Sequence, residues 1–175
     1  MKKVFIGLLI GLVLWPVGIY FYLRFGHPPV AVTDAPFPFE GKIVHVPLQA
    51  RIAADMPKTV PIQPTPENFL AGAQVYSQNC AGCHGTYMRP SAFGSHIYPH
   101  APQLWQAHGS HVVGVSDDPP GETYWKVENG IRLSGMPGFQ HMLTTEQMWQ
   151  VSLLLANADK QLPQPVTDAL SKPQS

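Results

Sequence analysis

From Val4 to Leu23 the chain runs for twenty residues without a charge, VFIGLLIGLVLWPVGIYFYL. At 1.5 Å per residue a helix of this length spans about 30 Å, the thickness of a bilayer's hydrocarbon core. The run therefore reads as a transmembrane anchor over residues 1–25. Pro16 would break a soluble helix, but a membrane helix tolerates it as a kink because other groups re-satisfy the freed carbonyl. Lys2 and Lys3 precede the run and only Arg24 follows closely, so the positive-inside rule keeps the amino terminus in the cytoplasm and exports the rest. Trp15, Tyr20 and Tyr22 fall toward the far end, where amphipathic rings favour the interface. A cleaved secretory signal is the competing reading. It requires a shorter apolar core and a small-x-small cleavage site, which Arg24-Phe25-Gly26-His27-Pro28-Pro29 matches poorly.

The rest of the chain divides by composition. Residues 26–66 hold nine of the nineteen prolines, which predicts an extended linker, although Lys42-Ile43-Val44-His45-Val46 has strand-like character and could pack on a domain. Thr65-Pro66-Glu67-Asn68 reads as a helix start, with Thr as N-cap and Pro in the first turn, and Phe69, Gly72, Ala73 and Tyr76 then form a stripe leading to Cys80. A short helix is expected from Thr123 to Glu128, stopped by Asn129-Gly130. Thr144 and Gln147 form a capping box ahead of a strongly apolar helix through Leu155. No alternating run suggests a sheet. The expected domain is mostly helical, spans residues 67–162, and is followed by a polar tail at 163–175. Eleven Lys and Arg balance eleven Asp and Glu over the whole chain, so there is no basic field for nucleic acid.

The chemistry concentrates at Cys80-Ala81-Gly82-Cys83-His84, the spacing of covalent c-type haem attachment. Two thiols one helical turn apart can each add to a haem vinyl group, and the adjacent imidazole is then held to ligate iron. A thioredoxin-like redox pair would need a strand-to-helix junction in a βαβ setting, and a zinc site would need further ligands. For a sixth iron ligand the best candidate is Met136 in Ser134-Gly135-Met136-Pro137-Gly138, with Met142 the runner-up and His141 a substitute if that turn points elsewhere. Met1 and Met56 lie outside the domain, Met88 is only four residues from His84, and Met148 sits on the last predicted helix. His96, His100, His108 and His111 invite a second metal, but their Pro- and Gly-rich loop has no helical pattern to hold a chelating spacing, and solvent-exposed or propionate-neighbouring roles are preferred.

These residues together resemble the class I cytochrome c family, in particular membrane-anchored monohaem bacterial members related to the cytochrome subunits of haem-copper oxidases. The resemblance runs from about residue 64 to 162. It rests on Gly72 and Tyr76 before the Cys80–His84 motif, on Tyr124-Trp125-Lys126-Val127-Glu128-Asn129-Gly130-Ile131-Arg132 leading to Gly135-Met136-Pro137, and on the Trp149 helix. It implies an all-α fold wrapped around one covalent haem c, whose first and last helices cross at the glycine matched by Gly72. It further implies that Pro102-Gln103-Leu104 supplies a proline carbonyl to the His84 Nδ1–H and that Tyr124, Trp125 and Arg132 line the haem or meet a propionate. The expected function is one-electron transfer with His84 and Met136 as axial ligands, as a carrier or as a relay subunit of a respiratory complex. The alternative is a haem enzyme or gas or redox sensor in which Met136 dissociates. Expected partners are membrane-bound or periplasmic redox proteins and, through the anchor, lipid. The expected location is the bacterial inner membrane, single-pass, with the haem domain on the periplasmic side. Between Glu67 and Leu162 four Lys and Arg face seven Asp and Glu, so a neutral or basic partner face fits best.

Overall fold

The computed structural model describes residues 1–109 and 111–171. It contains two compact units, Met1–Glu40 and Gly41–Ser175. The first is built on α1 (Lys2–Phe25), long and apolar enough to cross a membrane and with none of its residues buried in protein. The stretch after it is not a loose tether. Val30 and Ala31 N–H both donate to the Asp34 carboxylate at 2.8 Å, making a tight turn that also holds that carboxyl below its usual range. Beyond the turn, the Phe37 ring lies 6.4 Å from that of Tyr22 in the last turns of α1.

Residues 26–66 were expected to be extended, yet α2 (Glu40–Asp55) forms there, and Lys42–Val46 is helical instead of strand-like. Pro47 in its middle is what made an extended reading natural, since proline removes an intrahelical donor and crowds the preceding turn. Burial of Ile52, 1% exposed, offsets part of that cost.

The helices of the second unit start where their capping residues dictate. Thr65 Oγ1 accepts from Asn68 N–H at the head of α3 (Pro66–Asn79), and both arms of the Thr144–Gln147 capping box are present at α6 (Thr145–Leu155). Between them lie the one-turn α4 (Ala81–His84), a 3₁₀ turn (Phe93–His96), a short antiparallel pair β1 (Ala107–His108) and β2 (Val112–Val113), and α5 (Pro120–Asn129), which ends at Gly130. The architecture is all-α, as expected.

The core forms where α3 crosses α6 and where α5 packs on α6. At the first crossing the backbones touch: a Cβ on Gly72 would overlap the Gln150 carbonyl, so only glycine lets the helices come this close. At the second, Tyr124 stacks on Trp149 with ring centroids 4.2 Å apart. The segment expected as a polar tail contributes α7 (Gln164–Ser171), while residues 172–175 of that segment lie outside the described residues. Val166 and Leu170, one turn apart, are buried in the same core, and Ser77 Oγ donates to the Ala169 carbonyl at 3.0 Å. Two fully buried aliphatic side chains contribute about 1.5–3 kcal/mol each, enough to dock an otherwise polar helix.

This packing has two measurable consequences. Gly72→Ala should lower stability by about 1–3 kcal/mol, measured as a shifted denaturant midpoint with unchanged slope. Lys126 is held by Glu122 at 2.7 Å and Asp118 at 3.1 Å, tying α5 to the loop before it. Desolvation pulls its ammonium down, but the two carboxylates outweigh this and leave its pKa raised. That contribution is fully present below the ordinary lysine pKa and is lost as pH climbs through the raised one. The stability difference between the native chain and Lys126→Met should therefore shrink above about pH 10.5 in pH-resolved denaturation.

Candidate haem-attachment site

Cys80 joins α3 to α4, and Cys83 and His84 sit on that single turn. Both cysteines are free thiols. Burial, with Cys83 close by, pushes the Cys80 thiol up to about 12, so it is protonated at neutral pH. His84 is half-buried, and desolvation lowers its pKa against the opposing effect of its hydrogen bond to Pro102. The ring Nδ1 donates to the Pro102 carbonyl at 2.7 Å. A neutral imidazole with Nδ1 protonated carries its lone pair on Nε2, which is the state a metal-ligating histidine needs.

The backbone of this turn is secured from several directions. The Cys80 carbonyl accepts from His84 N–H at 2.9 Å and that of Ala81 from Gly85 N–H at 2.9 Å. The Gly82 carbonyl accepts from Ser91 Oγ at 2.5 Å, Cys83 from Gln103 Nε2 at 3.3 Å, His84 from Leu104 N–H at 3.2 Å, and Gly85 from the buried Tyr76 hydroxyl at 2.7 Å. Gln103 also accepts the Ser91 N–H at 2.6 Å, linking two of these supports. Sequence reasoning missed Ser91, and it named Gln103 only as the middle of the Pro102–Leu104 element, without this role. Their signal is faint, because each is a polar residue in a loop whose partner is a main-chain atom far along the chain.

Met136 sits in a loop that closes on the end of α5. Ile131 N–H donates to the Met136 carbonyl at 3.2 Å, Phe139 N–H to the Val127 carbonyl at 2.9 Å, and Ser134 Oγ accepts the Met136 N–H at 3.1 Å. Met136 is half-buried against the core, whereas Met142, Met88 and His141 are exposed and Met148 is buried inside α6. Gly130 starts the loop at φ +68°, and a Cβ there would crowd the Gly138 nitrogen and the Met136 carbonyl oxygen.

The remaining sequence-predicted residues separate into groups. Pro102 and Leu104 meet His84 directly, Leu104 being buried beside Trp105. Tyr124 is spent on the α5–α6 interface, with its hydroxyl donating to Glu128 Oε1 at 3.0 Å. Trp125 is half-buried, and Arg132 is exposed at the base of the Met136 loop. The loop histidines turn to different neighbours: His96 Nδ1 to the Ala92 carbonyl, His100 Nδ1 to that of Ile97, and His108 Nε2 to that of Gly114. Among the described residues no group of three or more His, Cys, Asp or Glu is placed to hold a metal ion.

A short helical wrap that presents paired thiols and an oriented imidazole on one secured turn defines a c-type cytochrome domain. Residues 67–153 match the family model of cytochrome c oxidase, cbb3-type, subunit III, and this part of the chain belongs to the class I c-type cytochromes related to oxidase subunits. No characterised protein and no solved structure shows significant similarity to the chain. The donor set fits haem c: the thiols are unpaired with each other, and the imidazole leaves Nε2 for iron.

Because Gly130 combines a left-handed φ with backbone on the Cβ side, Gly130→Ala should cost about 1–3 kcal/mol. The accompanying amide chemical-shift changes should concentrate in residues 130–140.

Proposed function

We propose that the chain carries single electrons outside the cytoplasm as a membrane-anchored monohaem cytochrome c, acting as a carrier or as a relay subunit of a respiratory oxidoreductase complex. The observation that carries this reading is His84, neutral and fixed by Pro102 beside two free thiols on one turn. Cys80 and Cys83 would hold haem c covalently as thioethers, each thiol taking up one vinyl group. Haem c, when bound, supplies an Fe(III)/Fe(II) couple. His84 would bind the iron through Nε2, and Met136 would bind it through its thioether from the closed loop after α5. Leu104 and Trp125 contribute apolar wall and Arg132 a cation for a propionate, with Tyr124 holding the wall in place through Trp149.

With both His84 and Met136 bound to it, the iron would have no open position for small molecules, and methionine ligation would raise its potential relative to a bis-His centre. The net negative charge between Glu67 and Leu162 favours a neutral or basic docking face on the partner. The positive-inside rule applied to Lys2 and Lys3 supports an amino terminus in the cytoplasm and a haem domain on the periplasmic side of the bacterial inner membrane. The anchor confines encounters to the membrane plane and raises the local concentration of membrane partners.

The matured protein should gain the mass of one haem, which stays attached under denaturing conditions and is lost in the Cys80→Ser/Cys83→Ser variant. The oxidised spectrum should contain the weak far-red sulfur-to-iron band, and Met136→Leu should abolish it and let carbon monoxide bind the reduced form. Colourless protein after correct maturation would refute the haem reading. A native spectrum without the band, or native protein that binds carbon monoxide readily, would refute Met136 ligation and favour an open-iron enzyme or sensor.

A further inference from the structure

Helix α2 is apolar on two opposite sides. Leu48 and Ile52 point one way, and Ile52 is buried. At 100° per residue, Ile43, Val46, Pro47 and Ala50 fall together on the other side. Ile43 is 66% and Val46 70% exposed, an unusual state for branched side chains on a helix that already has a buried face. Lys42 and Gln49 flank this outer strip on one edge, while Glu40 and Arg51, the latter ion-paired with Asp55, flank it on the other. An apolar strip edged by polar and charged residues, on a helix whose opposite side is buried, fits a helix lying in a headgroup region.

The chain path supplies the occupant. The uncharged run of α1 ends at Leu23, so Tyr22 marks the edge of the hydrocarbon. The Asp34 turn brings Phe37 back to Tyr22, and Phe37 N–H donates to Glu40 Oε2 at 2.9 Å where α2 begins. Three residues of chain, at most about 11 Å, separate that membrane-edge contact from the start of α2. An apolar strip that begins so close in chain to the bilayer edge has lipid as its nearest cover.

We infer that the outer face of α2, formed by Ile43, Val46, Pro47 and Ala50, lies in the lipid headgroup region. The anchor is then continued by an interfacial helix. This rests on α1 spanning the membrane. The test uses the full matured chain in phosphatidylethanolamine/phosphatidylglycerol vesicles, its native cysteines consumed by haem, with single cysteines introduced as Leu12→Cys, Val46→Cys or Gln49→Cys. A charged, membrane-impermeant maleimide should leave Leu12→Cys unmodified and should react with Val46→Cys at least about tenfold more slowly than with Gln49→Cys. A photo-crosslinking benzoylphenylalanine at Val46 should yield a lipid adduct by mass. If Leu12→Cys is protected but Val46→Cys reacts as fast as Gln49→Cys, the interfacial helix is overturned and the anchor stands. A reactive Leu12→Cys overturns both. A crosslinked dimer in place of a lipid adduct, or protection of Val46→Cys in native membranes but not in pure lipid, also overturns the inference, in favour of a second copy or another protein.

Discussion

Everything at the candidate site depends on the hydrogen bonds that close around Cys80–Gly85. Each of the six carbonyls in this turn has a donor, and four of those donors come from Tyr76, Ser91, Gln103 and Leu104. Ala81 and Gly85 are buried, and a buried carbonyl left unpaired costs about 1–3 kcal/mol, which restrains the turn at these two positions. The His84–Pro102 bond then fixes the ring on a backbone that is itself fixed. Preorganisation of this kind matters for a redox centre, because a ligand that does not move when the charge changes adds little reorganisation to electron transfer.

The helical frame serves the same end with few side chains. Contact of α3 with α6 at Gly72 brings two backbones together, and α7 closes the other side of α3 with Val166 and Leu170. The Met136 loop returns to the end of α5 through main-chain bonds to Val127 and Glu128, so the loop's position follows from that of the helix. The supports of both proposed ligands are thus largely main-chain, and side-chain variation around them is constrained mainly at glycines and at the few polar residues that reach carbonyls.

The first compact unit carries its own order. The Asp34 turn, the Tyr22–Phe37 contact and the Glu40 bond to Phe37 N–H convert a proline-rich stretch into a short folded connection.

Much of this was legible in the chain itself. Thr65 and the Thr144–Gln147 box announced their helices because capping is a local interaction between residues three apart, and the Cys80–His84 spacing put two thiols and an imidazole within one turn because such spacing is itself local. Proline density concealed α2, since the cost of Pro47 is local whereas the compensating burial of Ile52 is not. Polar composition concealed α7, whose two apolar residues matter only once the α3 surface exists to receive them. The roles of Ser91 and Gln103 were illegible for the same reason. Sequence determined what is fixed by short-range chemistry: caps, ligand spacing, and an uncharged run long enough to span lipid. The fold alone decided which distant main-chain atoms each polar side chain would meet, because those partners exist only after the chain has closed on itself.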